Sequence, residues 1–471
     1  MAAPKERTDV KISQERAVLA AVHLPGSKFD PRDPLGELRE LAQTAGATVV
    51  GELVQNRHMP ESGTYIGRGK LEELKAMCDE LQAGLVIFDH ELSPKQIAGI
   101  EEAIGRKVLD RSELILDIFA SRATTHEARL QVELAQLEYT YPRLRAMWDH
   151  LERIVGHGGI GGIGTRGPGE QQLEIDRRIV QRKAMMLKRE IADIQERKAR
   201  EVRERNADHF TVGLVGYTNA GKSTLFNALT AGGAFANDQL FATLMTRTRE
   251  WRVGSGAGGP SGTLSVMLSD TVGFVRDLPT NLVASFKATL EEATHANLLL
   301  IVLDVSDPAA ELQYETVINT LEELVAGVRK AEERAGREYV PPERIVLLNK
   351  SDRLRNNAEL LVWQTRVRGA IPFCALTPGG MGHSELESRV RTLAAGEDRE
   401  LLLTLPLSQA KAIHNIETQA KVLDRVYEDS KVTLRVVIGE RQLVRLRAAG
   451  ASIQARTPDG REALPKPAAS W

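Results

Sequence analysis

The chain has few features that would assign it a function from composition alone. It holds two cysteines, Cys78 and Cys374, far apart and without metal-ligand spacing. A structural disulfide or a zinc site is therefore not expected, and both read as small buried hydrophobes. The ten histidines show no ligand spacing either. No apolar run approaches the roughly 20 residues that a membrane span needs. The start, Met1-Ala-Ala-Pro-Lys-Glu-Arg7, lacks the apolar core of a secretory signal, so a cytoplasmic protein is expected. Charge of one sign is lacking as well. With 62 basic and 64 acidic residues the formal net charge is −2, so bulk electrostatics does not advertise a nucleic-acid binder. Any contact with RNA would have to come from local patches or shape. There is no internal repeat.

What is present is length and alternation. At 471 residues the chain exceeds a single core and should divide into several domains. Residues 1–16 are polar and expected to be disordered. Residues 17–124 read as a small α/β domain, with strands at Ala17–Leu24, Thr48–Val54 and Leu85–Phe88 between helices Leu35–Ala45, Lys70–Gln82 and one opening at Ser93-Pro94. Residues 125–206 read as a helical hairpin. Glu127–Val155 carries a kink expected at Pro142, a glycine-dense tip spans 156–169, and Gln171–Arg205 returns as the second helix. The nucleotide domain covers 207–396. Residues 397–471 read as a small α+β domain and tail, with strands Leu401–Leu405 and Lys431–Val437, a helix over Ala410–Val426 and a loose end after Pro458.

The chemistry is carried by Phe210-Thr-Val-Gly-Leu-Val-Gly216-Tyr217-Thr218-Asn219-Ala220-Gly221-Lys222-Ser223-Thr224. This is a strand, a GxxxxGK[ST] loop and a helix start, the context in which the motif cradles phosphate. Glycines let backbone N–H groups approach the oxygens, and the helix N-terminus adds partial positive charge. Lys222 is expected on the β and γ phosphates and Ser223 on Mg²⁺. The loop specifies a nucleoside triphosphate but not the base.

The base is read from Ile345-Val-Leu-Leu-Asn349-Lys350-Ser351-Asp352, a buried strand ending in NKxD. The Asp352 carboxylate can accept from N1–H and the 2-amino group of guanine, and adenine offers neither donor. Asn349 is expected to brace the phosphate loop and Lys350 to lie along the base. Cys374-Ala375-Leu376, ending an apolar strand, stands where a last loop would offer the Ala375 N–H to the guanine carbonyl. GTP and GDP are thus the expected ligands, and a P-loop kinase is remote.

Between the two motifs lies Leu264-Ser-Val-Met-Leu-Ser-Asp270-Thr271-Val272-Gly273-Phe274. Asp270 is expected in the magnesium shell and the Gly273 N–H on the γ-phosphate, so this loop senses that phosphate. Thr243 is the candidate for the threonine completing the magnesium shell. Phe274 stands where many GTPases carry a water-orienting glutamine, and phenylalanine can neither donate nor accept there. Slow intrinsic hydrolysis, raised by a partner, is expected. Asn219 reads equally as a turn-stabilising residue or as an amide helping a K⁺ ion to supply charge. Gly67-Arg-Gly-Lys70 lacks the Walker spacing and reads as a helix entry. The glycines at 156–169 link two helices, so they are no dinucleotide fingerprint; they read as a connector or as a tip with Arg166 on phosphate.

Together these residues resemble the HflX family of translational GTPases. The resemblance is carried by Val108–Phe119, Leu130–Leu137, Arg166-Gly-Pro-Gly-Glu170, Leu173-Glu, Asp176-Arg-Arg178, Gly216–Thr224, Phe241-Ala-Thr-Leu244 and Asp270–Phe274. It implies binding to the large ribosomal subunit and, in bacterial members, splitting of stalled ribosomes under stress. It also implies that the N-terminal domain and helical arm dock on ribosomal RNA, with the glycine loop toward the peptidyl transferase centre. The sequence departs from the family at Met245-Thr-Arg-Thr248, at Gln171 and Ile175, at a Gly/Ser-rich insertion over Gly254–Gly262 expected to be a hairpin tip, and at Cys374 in place of serine. The expected function is a GTP-driven switch on ribosomes, monomeric when free. A rival is a stress-regulated GTP-binding adaptor whose arm recruits a protein partner.

Overall fold

The computed structural model describes residues 15–27, 29–156, 168–230, 247–254, 264–276, 293–354, 356–377, 379–428, 430–448 and 451–461. These fall into two units. One contains the described residues up to Glu196 together with Arg276, and the other contains the rest.

The first unit opens with β1 (Arg16–His23), α1 (Gly36–Thr44), β2 (Thr48–Asn56), α2 (Arg68–Glu80), β3 (Leu85–Phe88), α3 (Pro94–Ile104), β4 (Lys107–Asp110) and α4 (Arg111–Arg122). The four strands form an all-parallel sheet in the order β2-β1-β3-β4. Such a sheet needs strands that are apolar on both faces, and β1 and β3 are buried along nearly their whole length. The expected Ser93 cap is present, with a full capping box and Pro94 in the first turn of α3. Gly67 is the N-cap of α2, as a helix entry requires. From β1 the chain builds β2 on one side and then β3 and β4 on the other. The carboxyl ends of β1 and β3 therefore flank a topological switch point.

Two long helices follow, α5 (His126–Gly156) and α6 (Pro168–Asp208). They pair antiparallel through a strip of Leu130, Leu134, Leu187 and Ile191. Lys183–Glu133 and Lys188–Glu138 ion pairs flank that strip. Helix α5 runs unbroken through Pro142. At 41 residues, α6 is longer than the expected Gln171–Arg205, on the order of 60 Å. The tip that carries Arg166 lies outside the described residues.

The second unit continues with β5 (Thr211–Gly216), α7 (Lys222–Thr230), β6 (Arg247–Val253), β7 (Leu264–Asp270), β8 (Leu298–Asp304), α8 (Ala310–Arg334), β9 (Glu343–Asn349), α9 (Asn357–Arg366), β10 (Ile371–Pro372) and α10 (His383–Ala395). Its sheet runs β10-β9-β8-β5-β7-β6, parallel except for β6 at the edge. Adjacent residues of each central strand serve opposite faces. Leu214, Leu300 and Leu347 join one core with Phe226 and Leu386, whereas Val215, Ile301 and Leu348 join the other with Leu321 and Phe274. This is the doubly wound P-loop fold expected from the sequence. Val253 and Leu264 pair across β6 and β7, so the Gly254–Gly262 insertion links two antiparallel strands.

The chain ends in an antiparallel sheet of order β12-β13-β11-β14, formed by β11 (Asp398–Pro406), β12 (Lys421–Glu428), β13 (Lys431–Gly439) and β14 (Gln454–Arg456), with α11 (Ala410–Gln419) and α12 (Glu440–Ala448). One expectation fails here. The helix predicted over Ala410–Val426 stops at Gln419, and Lys421–Glu428 is strand β12, paired with β13. Val422, Leu423, Val426 and Tyr427 recur at helical spacing, but an edge strand exposed on both faces leaves no alternation to contradict it.

Candidate nucleotide site

Strand β5 delivers Gly216 to the end of the sheet, and α7 begins at Lys222, so residues 217–221 form the loop between them. Gly221 has φ +98°, and a Cβ there would lie 2.3 Å from Asn349 Nδ2. Only glycine fits. Asn219 is itself left-handed at φ 61° and solvent-exposed, a conformation asparagine tolerates. Lys222 is 7% exposed, and its ammonium donates to the carbonyls of Gly216 at 3.1 Å and Tyr217 at 2.6 Å. Burial pulls its pKa down to about 8, against the opposing pull of Asp270.

Ser223 and Asp270, the two described residues expected on magnesium, lie together. Leu214 of β5 is in register with Asp270 of β7, which brings the carboxylate to the start of α7. There Ser223 Oγ donates to Asp270 Oδ2 at 2.8 Å. A hydroxyl beside a buried carboxylate is a hard-oxygen donor set that suits magnesium, an ion that keeps several waters and takes the rest of its shell from substrate phosphates. No group of three or more His, Cys, Asp or Glu that could hold a metal by itself occurs among the described residues. Thr243 lies outside them.

The loop after β7 is seated on the phosphate loop by main-chain bonds. The Phe274 N–H donates to the Gly216 carbonyl at 3.0 Å, and the Phe274 carbonyl accepts from the Thr218 N–H at 2.8 Å. The Phe274 ring is buried in the core with Val215, Tyr217, Leu299 and Ile301. Thr271 Oγ1, a residue without a role in the sequence reading, donates to the Leu214 carbonyl at 2.6 Å and fixes the loop's start.

Asn349 joins three loops. Its Nδ2 donates to the Ala220 carbonyl at 2.7 Å, and its Oδ1 accepts from the Ala375 N–H at 3.1 Å. The brace predicted for Asn349 is therefore present. The Ala375 N–H, expected on the guanine carbonyl, is held by Asn349 in this structure. Lys350, left-handed at φ 58°, donates to the Asn219 carbonyl at 3.1 Å and pairs with Asp304 Oδ2 at 2.6 Å. Asp304 was missed from sequence, although it ends the apolar run Leu298–Asp304 in register with Asn349. Asp352 is exposed on a short 3₁₀ turn, Ser351–Arg353, which Ser351 Oγ ties to the Leu348 carbonyl at 2.6 Å. Cys374 is buried and Leu376 is 67% exposed. His383, also unforeseen, stacks on Phe373 and bonds the Cys374 carbonyl at 3.3 Å. The loops that carry Lys222, Asp270, Asn349 and Ala375 are thus tied together by hydrogen bonds.

Comparison with known proteins follows the same layout. The family described as GTP-binding GTPase N-terminal matches residues 32–120, GTP-binding GTPase Middle Region matches 122–205, and 50S ribosome-binding GTPase matches 211–350. The GTPase HflX of Alkalihalophilus pseudofirmus is 38% identical over 434 residues, covering 88% of this chain and 98% of its own. The GTPase HflX of Escherichia coli is 36% identical over 434 residues, covering 90% and 93%. That of Lacrimispora saccharolytica is 45% identical over 320 residues, covering 68% and 73%. P-loop GTPases of this kind use magnesium, and no helix among the described residues is long and apolar enough to cross a membrane. With identity extending through all three matched regions, the chain belongs to the HflX family of GTPases.

Proposed function

We propose that this protein is a GTP-driven switch that binds the large ribosomal subunit and dissociates or rescues stalled ribosomes under stress. It works in the cytoplasm, as a monomer when free. The observation that carries the nucleotide half of this reading is Asn349, which bonds the phosphate loop through one atom and the last loop through another, so that one ligand spans both. Lys222 neutralises the β and γ phosphates, the Gly273 N–H contacts the γ-phosphate, and Asp352 selects guanine with Cys374, Ala375 and Leu376 on its far side. Gly216, Tyr217, Thr218, Ala220, Gly221 and Thr224 line the phosphates. Ser223, Asp270 and Thr243 would hold magnesium, which would neutralise phosphate charge when bound, and Asn219 would either assist a K⁺ ion or serve as a turn residue. Arg166 is assigned to contact with an RNA phosphate. The ribosome half is supported by the description of the family matching 211–350 as 50S ribosome-binding.

The buried Phe274 ring offers nothing to an attacking water. Steady-state turnover without ribosomes is therefore expected far below about 1 s⁻¹. Phosphate release measured on the purified chain checks this, and fast turnover with no partner present would contradict it.

The ribosome reading is tested by sedimenting the protein with isolated large subunits. Co-sedimentation is expected with a non-hydrolysable GTP analogue and should weaken with GDP. Association that is absent, or equal in both nucleotides, removes the switch and leaves the adaptor reading.

A further inference from the structure

Thr218, in the loop between β5 and α7, is only 6% exposed, and its Oγ1 has no hydrogen-bond partner among the described residues. Burying a hydroxyl without a partner is unfavourable, and a valine of the same shape would fill the space without that penalty. The main chain of Thr218 is already engaged, its N–H donating to the Phe274 carbonyl at 2.8 Å. Two neighbouring hydroxyls are committed as well. Ser223 Oγ donates to Asp270 Oδ2 at 2.8 Å, and Thr271 Oγ1 donates to the Leu214 carbonyl at 2.6 Å. The Thr218 hydroxyl alone of these three is left for a ligand.

The position of the side chain decides which part of a ligand it can meet. A Cβ built on Gly273 would lie 2.8 Å from Thr218 Cγ2, 2.9 Å from Thr218 Cα and 2.9 Å from Lys222 Nζ. Thr218, the Gly273 main chain and the Lys222 ammonium therefore crowd around one point. The methyl and the hydroxyl of Thr218 share the same Cβ. One staggered step about χ1 carries Oγ1 to the place that Cγ2 holds beside Gly273. Phe274 cannot serve in its stead, because its ring is buried in the core with Val215 and Ile301. A hydroxyl can donate and accept, which a phenyl ring cannot.

We infer that Thr218 is a catalytic residue of GTP hydrolysis, its hydroxyl donating a hydrogen bond to a γ-phosphoryl oxygen. In that reaction the water oxygen forms a bond to the γ-phosphorus. The bond from phosphorus to the β,γ-bridging oxygen breaks, and its electron pair leaves with GDP. Both protons of the water depart with dihydrogen phosphate, so the Thr218 proton is shared in a hydrogen bond and never transferred. A donor fixed in place before the reaction binds the charge on the γ-phosphoryl oxygens more strongly in the transition state than in bound GTP. The inference rests on the proposed reading of Lys222 and the Gly273 N–H as γ-phosphate contacts.

The test compares Thr218→Val and Thr218→Ser with wild type in the full chain. Valine keeps the shape and removes the hydroxyl, so the main-chain bond to Phe274 should persist. The kcat for GTP should fall by about 10² in Thr218→Val, as when a single donor at a reacting group is removed. KM and the affinity for GDP should stay within about threefold of wild type, the mark of an interaction made in the transition state. Thr218→Ser retains the hydroxyl and should turn over within about fivefold of wild type. Wild-type kcat in Thr218→Val overturns the inference. So does a Thr218→Ser protein as slow as Thr218→Val, since the methyl group would then matter and not the hydroxyl. GDP affinity that falls in step with kcat also overturns it, by placing the damage in the phosphate cradle. Should Thr218→Val not fold, Thr218→Ala against Thr218→Ser gives the same comparison. A wild-type chain that binds no guanine nucleotide would instead sink the function on which the inference rests.

Discussion

Asp352→Asn is expected to exchange preference for guanine nucleotides for preference for xanthine nucleotides, with the ratio of the two affinities shifting by on the order of 10⁴. On the proposed reading, the aspartate carboxylate accepts from both N1–H and the 2-amino group. An asparagine at the same place accepts from N1–H through its oxygen but turns its NH₂ toward the second position. Guanine then meets donor against donor, whereas xanthine carries a carbonyl oxygen there and completes both bonds. The rest of the pocket should not move. Asn349 and Lys350 are held by Ala220, Asn219 and Asp304, and the 3₁₀ turn that carries Asp352 is pinned by Ser351 to Leu348. Competition of GDP, XDP and ADP against a fluorescent nucleotide measures the ratio. A variant that keeps its GDP preference would show that Asp352 does not read the base.

Gly273→Ala is expected to lower GTP turnover by about 10²–10³ while leaving GDP binding intact, the loss typical of one withdrawn main-chain donor at a reacting group. A Cβ at Gly273 would lie 2.8 Å from Thr218 Cγ2, 2.9 Å from Lys222 Nζ and 2.9 Å from Thr218 Cα. The last of these is backbone, so rotating a side chain does not relieve the contact. Either the Asp270–Phe274 loop lifts away or Lys222 is pushed off the carbonyls of Gly216 and Tyr217. Lifting the loop withdraws the Gly273 N–H from the γ-phosphate, and GDP has no such phosphate to miss it. Turnover within twofold of wild type would rule out the contact. Loss of GDP binding in proportion would place the damage in the phosphate cradle instead.

Much of the site was legible because phosphate-binding chemistry uses contiguous residues. A strand, a glycine-bearing loop, a lysine and a helix start lie within Phe210–Thr224, and each part can be recognised from its neighbours. The same holds for the NKxD strand end and for the buried strands, whose apolar runs leave no other place for them. The edge strand β12 was misread for the complementary reason. With neither face of the strand buried, no alternation opposed the chance helical spacing of its apolar residues. Asp304, Thr271 and His383 were passed over because an ordinary residue at a strand or helix end carries no signal until its partner is in place.

The chain's sequence by itself determined the nucleotide chemistry, the parallel sheets and the long helical arm, since each follows from residues adjacent in the chain or from repeated burial along one element. Tertiary structure alone decided which distant residues meet within each unit. The bond from Asn349 to Ala220 spans 129 residues, and that from Lys350 to Asn219 spans 131. Over such separations no spacing rule applies. Which side chain meets which carbonyl depends on which ends of the strands face the same edge of the sheet.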